Sequence, residues 1–371
     1  MMRRLAVIAT VPVMLLGGCS EQSERASQSG ETVLGQDDTE PLTSAQIRLR
    51  ATVNWLGAHF KGRPGIAIRD LQSGWTTGYD DRTPMPQQSV SKLWVALAVL
   101  DRADRGEIAL DEDVTVTRDD LTVFHQPLRK LVLARGSFTT SYSDLLERAL
   151  TESDNTANDV LLSHAGGPEA IRGVLAAKGL TGIRFGPGER LLQSSIAGLE
   201  WRPQYSLGKS FFYAREDVPD AVHREAFEAY LADPVDGASA HAVADALARL
   251  QSGTLLSGKS TRMLLEILGR TKSGPKRLKG GLPEGWSILH KTGTGQVLEQ
   301  VHSAYNDVGI LTAPSGRKYA VAILIGRTAI PVPERMDFMH RVVGAIAEYE
   351  AAIASRGGNA GAVTEPSASE S

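Results

Sequence analysis

The feature that most constrains this chain is where its strand-like segments fall. Residues 65–71 alternate as a strand, Gln72-Ser73-Gly74 is a turn signal, and residues 75–79 read as the returning hairpin arm. The remaining strand-like stretches, residues 286–290, 304–311 and 318–325, lie near the other end, the last two joined by Pro314-Ser315-Gly316. Between them the apolar spacing is helical: Leu93, Val95, Leu97 and Leu100 within 91–105, then residues 144–150 and 155–164. Helices are also predicted before the first strand, around Ile47, Val53 and Trp55, and after the last, over 334–355, with Phe338, Val342 and Ile346 four apart. Strands at both ends and helices in the middle predict an α/β (α+β) build. Both ends of the chain complete one sheet, with a helical subdomain between.

Composition agrees with a packed globular body. Of 371 residues 42% are hydrophobic and 22% charged, unlike a disordered chain. Lys plus Arg number 40 against 43 Asp plus Glu, a net charge of −3, so a basic nucleic-acid footprint is not expected. The one cysteine excludes an internal disulfide and Cys-based zinc, iron–sulfur or CxxC redox sites. The eight histidines are scattered, and neither a metal nor a cofactor is expected.

That cysteine belongs to an N-terminal address. Arg3-Arg4 precedes an apolar run over 5–16, too short to span a bilayer unaided, which ends in Leu16-Gly17-Gly18-Cys19. The pattern resembles the bacterial lipoprotein signal. It implies removal of residues 1–18, a lipid on Cys19, and an exported, periplasmic protein anchored to the outer membrane by analogy with Ser20 at the next position. Residues 19–42, acidic and polar, read as a flexible tether, and residues 356–371 as a disordered tail. The body is 43–355.

Four Ser-x-x-Lys patterns occur, at Ser89, Ser206, Ser273 and Ser315. On a helix such a pair shares one face, so the lysine can take the serine's proton when its surroundings lower its pKa. Only Ser89-Val90-Ser91-Lys92 opens a strongly apolar helix; a plain helix cap is the alternative for Ser89. Ser153-Asp154-Asn155 occurs once, between two helical stretches, where a capping turn is again the alternative. Lys-[Ser/Thr]-Gly occurs twice. Lys272-Ser273-Gly274 runs into Pro275 and reads as a loop, whereas Lys291-Thr292-Gly293 follows an apolar strand. On an edge strand, that strand would present a cation and a hydroxyl to a substrate carboxylate, and free backbone N–H groups to an oxyanion.

Taken in order, Ser89-x-x-Lys92, Ser153-Asp154-Asn155 and Lys291-Thr292-Gly293 form the motif set of class A β-lactamases and penicillin-binding proteins. The chain resembles the class A serine β-lactamases from about Thr43 to Ser355, helped by Gly166-Gly167-Pro168 and by Leu282-Pro283 with Gly285-Trp286. The resemblance implies a five-stranded antiparallel sheet flanked by helices, beside an all-helical subdomain. It implies a serine β-lactamase in which Ser89 is the nucleophile, Lys92 or Glu189 takes its proton, and Ser153 passes a proton to the leaving nitrogen. Asn155 would hold the substrate's side-chain amide. Lys291, Thr292, Gly293 and Thr294 would line the carboxylate and oxyanion side. Glu189, 36 residues after Ser153 in Glu189-Arg190-Leu191-Leu192-Gln193, would activate the deacylating water.

Two departures stand out. Gln193 replaces the family's asparagine, and 186–188 lack the arginine that commonly braces this loop. No arginine follows the third motif on its strand, so Arg277 is the expected carboxylate partner, with an exposed loop arginine as the alternative. Phe124 falls where the family often places an aromatic at the cleft mouth; core packing is equally open to it. The long segment 194–236, with Trp201, Tyr205, Phe211, Phe212 and Tyr213, is expected to pack on itself at the surface or to act as a substrate-shaping lid. Two other functions share the first three motifs: a peptidoglycan D,D-peptidase or transpeptidase, and a non-hydrolytic penicillin-binding sensor. The expected partners are a small β-lactam and, through the lipid, a membrane, with the chain acting as a monomer.

Residues 253–260, Gly-Thr-Leu-Leu-Ser-Gly-Lys-Ser, satisfy the P-loop pattern. A P-loop needs a strand before it. Val243, Leu247 and Leu250 predict a helix there, so a helix–turn–helix connection is expected and nucleotide binding is not.

Overall fold

A computed structural model describes residues 41–359. The lipid signal, Cys19 and the tether up to residue 40 lie outside the described residues, as does the tail beyond 359; residues 356–359, expected to begin that tail, continue the last helix to Asn359. Five strands form the main sheet: β1 (Gly62–Asp70), β2 (Thr76–Tyr79), β3 (Ser287–Thr294), β4 (Tyr305–Thr312) and β5 (Lys318–Thr328), in the order β2-β1-β5-β4-β3 and antiparallel throughout. The two early strands thus lie beside the three late ones, joined where β1 pairs with β5, so both ends of the chain complete one sheet as the sequence predicts. A short hairpin, Val297–Leu298 with Val301–His302, is added to the end of β5 through Thr328 and His302.

The sheet sorts its side chains by period two. Ile66 and Ile68 of β1 face one side and Ala67 the other. On the first side Leu49 and Val53 of the helix Ser44–His59 meet Phe338, Val342 and Ile346 of the helix Val332–Asn359. The second side joins Val308, Ile310 and Leu324 to the larger core around the helix Lys92–Asp104, whose residues 93–100 are all buried. A helix apolar all round belongs at the centre of a domain. The first helix forms where expected but presents a different face. Ala45, Leu49, Val53 and Leu56 are buried, while Ile47 and Trp55 are each 49% exposed. At 100° per residue, positions 47 and 53 lie on different sides, whereas steps of four, four and three trace one stripe.

The P-loop look-alike is a helix–turn–helix. Helix Ala240–Gln251 precedes it and helix Gly258–Gly269 follows. Asp104 accepts from the hydroxyls of Ser257 and Ser260 there.

Candidate active site

Ser89 lies in the 3₁₀ turn Gln88–Ser91, which runs directly into the helix Lys92–Asp104. Its hydroxyl does not cap the helix. It accepts from Lys92 Nζ at 2.8 Å. The same ammonium reaches Asn155 Oδ1 at 2.6 Å, Ser153 O at 3.3 Å and Glu189 Oε1 at 3.0 Å. An ammonium has three hydrogens, so one of these four contacts is shared. Lys92 is 1% exposed, and burying a charge at such cost is tolerable only because it is paired and hydrogen-bonded.

Ser153-Asp154-Asn155 is both a cap and a site. Asp154 accepts from Ala157 N at 3.0 Å and Leu128 N at 2.6 Å, which fixes the start of the helix Asn155–His164. Ser153 is turned into the left-handed region at φ +61°. Its hydroxyl accepts from Lys291 Nζ at 3.0 Å. Asn155 Nδ2 donates to Val123 O at 2.9 Å, so its carbonyl is aimed at Lys92.

Lys291, Thr292, Gly293 and Thr294 are the last residues of β3, which lies at the edge of the main sheet. Lys291 is fully buried, and burial, with Lys92 and Arg277 nearby, holds its pKa well below the usual lysine range. Gly293 is required by contact: a Cβ there would sit 2.4 Å from Gln87 O. The strand can thus lie against the segment that carries Ser89.

Glu189 begins the helix Glu189–Ile196 and is buried. In place of a bracing arginine, Asp159 accepts from Glu189 N at 3.1 Å and Arg190 N at 3.3 Å. Burial and the nearby Glu189 carboxylate push Asp159 up to about 6. Gln193 holds the glutamate from one turn on: its Nε2 donates to Glu189 Oε2 at 3.2 Å and Gln88 Oε1 at 2.8 Å. Both amide hydrogens are spent and its carbonyl accepts from Gln296 Nε2 at 3.0 Å, so Gln193 orients Glu189 and Gln88.

Arg277 is buried rather than exposed. Nη1 donates to Gly293 O at 2.8 Å and Asn306 O at 2.6 Å, Nη2 donates to the Thr294 hydroxyl, and the guanidinium lies 3.9 Å from the centre of the Tyr305 ring. It braces the end of β3 while lining the same cavity as Ser89, Ser153, Glu189 and Thr292. That cavity measures about 480 Å³. Ser273, expected to be an ordinary loop residue, also lines it and bonds the Thr292 hydroxyl at 2.7 Å.

The segment 194–236 packs against the site as well as on itself. Phe227, Tyr230 and Leu231 cluster with Leu192 and Ile196 of the Glu189 helix. Tyr205 and Phe211 cluster with Val123, and Phe124 meets Phe211 and Phe212 edge-on at 5.0 and 5.6 Å while also lining the cavity. Beneath the nucleophile, Gln88 is held at φ +52°, a conformation few non-glycine residues adopt. Its Nε2 donates to Tyr230 OH at 2.6 Å and its N to Asp236 Oδ2 at 2.7 Å. Burial raises Asp236 to about 6 and lifts the Tyr230 hydroxyl well above the usual tyrosine range. Gln88, Tyr230, Asp236, Asp159 and Gln296 are missing from the sequence reading; none carries a local signal, because each acts through contacts across the fold.

Residues 48–349 match the beta-lactamase enzyme family. Among curated relatives, the beta-lactamase VEB-1 of Pseudomonas aeruginosa is 26% identical over 286 residues, 77% of this chain and 83% of that one. The extended-spectrum beta-lactamase PER-1 of Pseudomonas aeruginosa is 28% identical over 278 residues, 72% and 76% of the two chains. The crystal structure of a beta-lactamase from Chitinophaga pinensis superposes with a TM-score of 0.67 at 25% identity, over 82% of this chain and 99% of that one. The fold of the TLA-1 extended-spectrum beta-lactamase matches with a TM-score of 0.69 at 23% identity, over 83% and 99%. With the three motifs meeting around one cavity and a family match over most of its length, this chain belongs to the beta-lactamase enzyme family.

Proposed function

We propose that this protein is a serine β-lactamase that opens the β-lactam amide through a Ser89 acyl-enzyme and hydrolyses it with water activated by Glu189. One observation carries the reading: Lys92 Nζ stands between Ser89 Oγ at 2.8 Å and Glu189 Oε1 at 3.0 Å, in a buried cluster. A proton passed from Lys92 to Glu189 leaves a neutral amine facing the serine. Glu189 acting through a water is the other route to the same end. The Ser153 hydroxyl, held by Lys291, then protonates the leaving ring nitrogen, and the low pKa of Lys291 supports proton exchange along this pair. Asn155 receives the acyl amide. The carboxylate of the substrate is taken by Lys291, Thr292, Thr294 and Arg277, and the carbonyl oxygen by the backbone N–H groups of Ser89 and Thr294. In deacylation Glu189, held by Gln193, activates the water.

A D,D-peptidase or a penicillin-binding sensor would share Ser89, Ser153 and Lys291 without needing Glu189 as a base. Stopped-flow and steady-state kinetics with a chromogenic cephalosporin separate the three. Many turnovers per enzyme after the burst are expected. A stoichiometric burst with no further turnover points to the sensor, and release of D-alanine from a stem peptide without β-lactam turnover points to the peptidase. The sequence supports an exported lipoprotein held by a lipid on Cys19. The mature N-terminus should carry acyl mass, and a soluble periplasmic protein without it would refute the anchor.

A further inference from the structure

Besides Arg277, a second guanidinium lines the cavity without an ion pair to a carboxylate. Arg215 projects from the helix Ser210–Glu216, within the segment 194–236. Its Nη1 donates to Gln296 Oε1 at 3.2 Å, and its guanidinium carbon lies 5.7 Å from the centre of the Phe212 ring. Other arginines around this segment pair with acids, Arg224 with Glu299 and Arg327 with Glu228. Among the described residues Arg215 has no such ion pair, although the neighbouring Glu216 carboxylate acts on it at longer range. Half-burial holds its pKa below the usual arginine value, yet a guanidinium stays charged at any working pH.

The charge balance of the cavity sharpens the point. Its two lining carboxylates are already engaged: Glu189 with Lys92, and Glu152 with Lys272. Arg277 and Arg215 are then left as cations at two different places on the wall. Arg277 braces Thr294, and Arg215 contacts Gln296, two residues further on past the end of β3. Gln296 in turn donates to Gln193, which places Arg215 on the Glu189 side of the cavity. The carboxylate on the β-lactam nucleus is taken at the Thr292–Thr294 end. An anion reaching Arg215 therefore belongs to the acyl side chain, whose amide Asn155 receives. The Phe124 ring lines the same cavity and meets Phe212, so an aromatic group beside that anion has a surface to lie on.

We infer that Arg215 is a specificity-determining residue that selects β-lactams carrying a second carboxylate on the acyl side chain; this rests on the hydrolytic reading of the same site. Benzylpenicillin and carbenicillin test it, since they differ by one carboxylate on that side chain. The readout is the ratio of kcat/KM for carbenicillin to that for benzylpenicillin. A charge-assisted contact at a partly exposed site supports a fall of about tenfold in this ratio for Arg215→Ala, with Arg215→Lys in between and Arg215→Glu lower still. Arg277→Ala should lower both substrates together, because both carry the nuclear carboxylate. The ratio cancels any general loss of folded enzyme. A ratio unchanged within twofold in Arg215→Ala and Arg215→Glu overturns the inference while leaving the hydrolytic reading intact. A wild-type protein that hydrolyses neither penicillin overturns both.

Discussion

Glu189→Ala is expected to yield a protein that still acylates and then stalls. General-base help contributes roughly 10²–10⁴-fold, so steady-state turnover should fall by about that factor while the penicilloyl adduct accumulates and persists in the intact mass. Acylation itself should slow, because Glu189 Oε1 lies 3.0 Å from Lys92 Nζ and is the carboxylate among that ammonium's partners that can take its proton. The alanine variant also strips a buried cation of its carboxylate, which costs about 3–5 kcal/mol where such pairs are broken. Glu189→Gln keeps the volume and, through its one carbonyl oxygen, can accept from Lys92 or from Gln193, without the basicity, so it separates chemistry from folding better than alanine does. Turnover at the wild-type rate in both variants would show that another group activates the water. A wild-type protein that itself stalls as the adduct would show that this helix does not support deacylation.

The parts of the fold and site visible in the sequence are those written in local spacing. Alternating segments at both ends of the body predict a sheet built from both, and the order β2-β1-β5-β4-β3 joins the early pair to the late three. Ser89 and Lys92 are three apart on one turn, and Ser153-Asp154-Asn155 is a cap whose geometry turns two neighbours inward. What stays hidden is what packing alone decides. Tyr230 reaches Gln88 across 142 residues, and Gln296 reaches Gln193 across 103. Neither contact follows from any periodicity. The long segment illustrates the limit: its aromatics announce apolar clusters, but not that Val123 and Leu192, from outside the segment, complete them. Even within a correctly predicted helix, Ile47 and Trp55 face water because apolar character alone does not say which stripe meets the sheet.

Ser89→Ala is expected to abolish turnover, a loss on the order of 10⁶ where nucleophile and base act as a unit, and to leave no penicillin adduct in the intact mass. The Ser89 hydroxyl is one of four acceptors around Lys92, so its removal leaves the ammonium still held by Asn155, Ser153 and Glu189. The variant should therefore fold with its melting temperature within a few degrees of the wild type. Lys92→Ala should lose comparable activity and, unlike Ser89→Ala, stability as well. It leaves Glu189 buried without its cation, and stability should fall by about 3–5 kcal/mol. The double variant then decides whether the two side chains are one device. If Lys92 acts by moving the Ser89 proton, removing it from a protein already lacking Ser89 costs nothing further in activity. A double variant much slower than either single one would mean that the two contribute independently. An adduct that survives Ser89→Ala would put the nucleophile elsewhere in the cavity, with Ser153, whose hydroxyl accepts from Lys291, as the first position to examine.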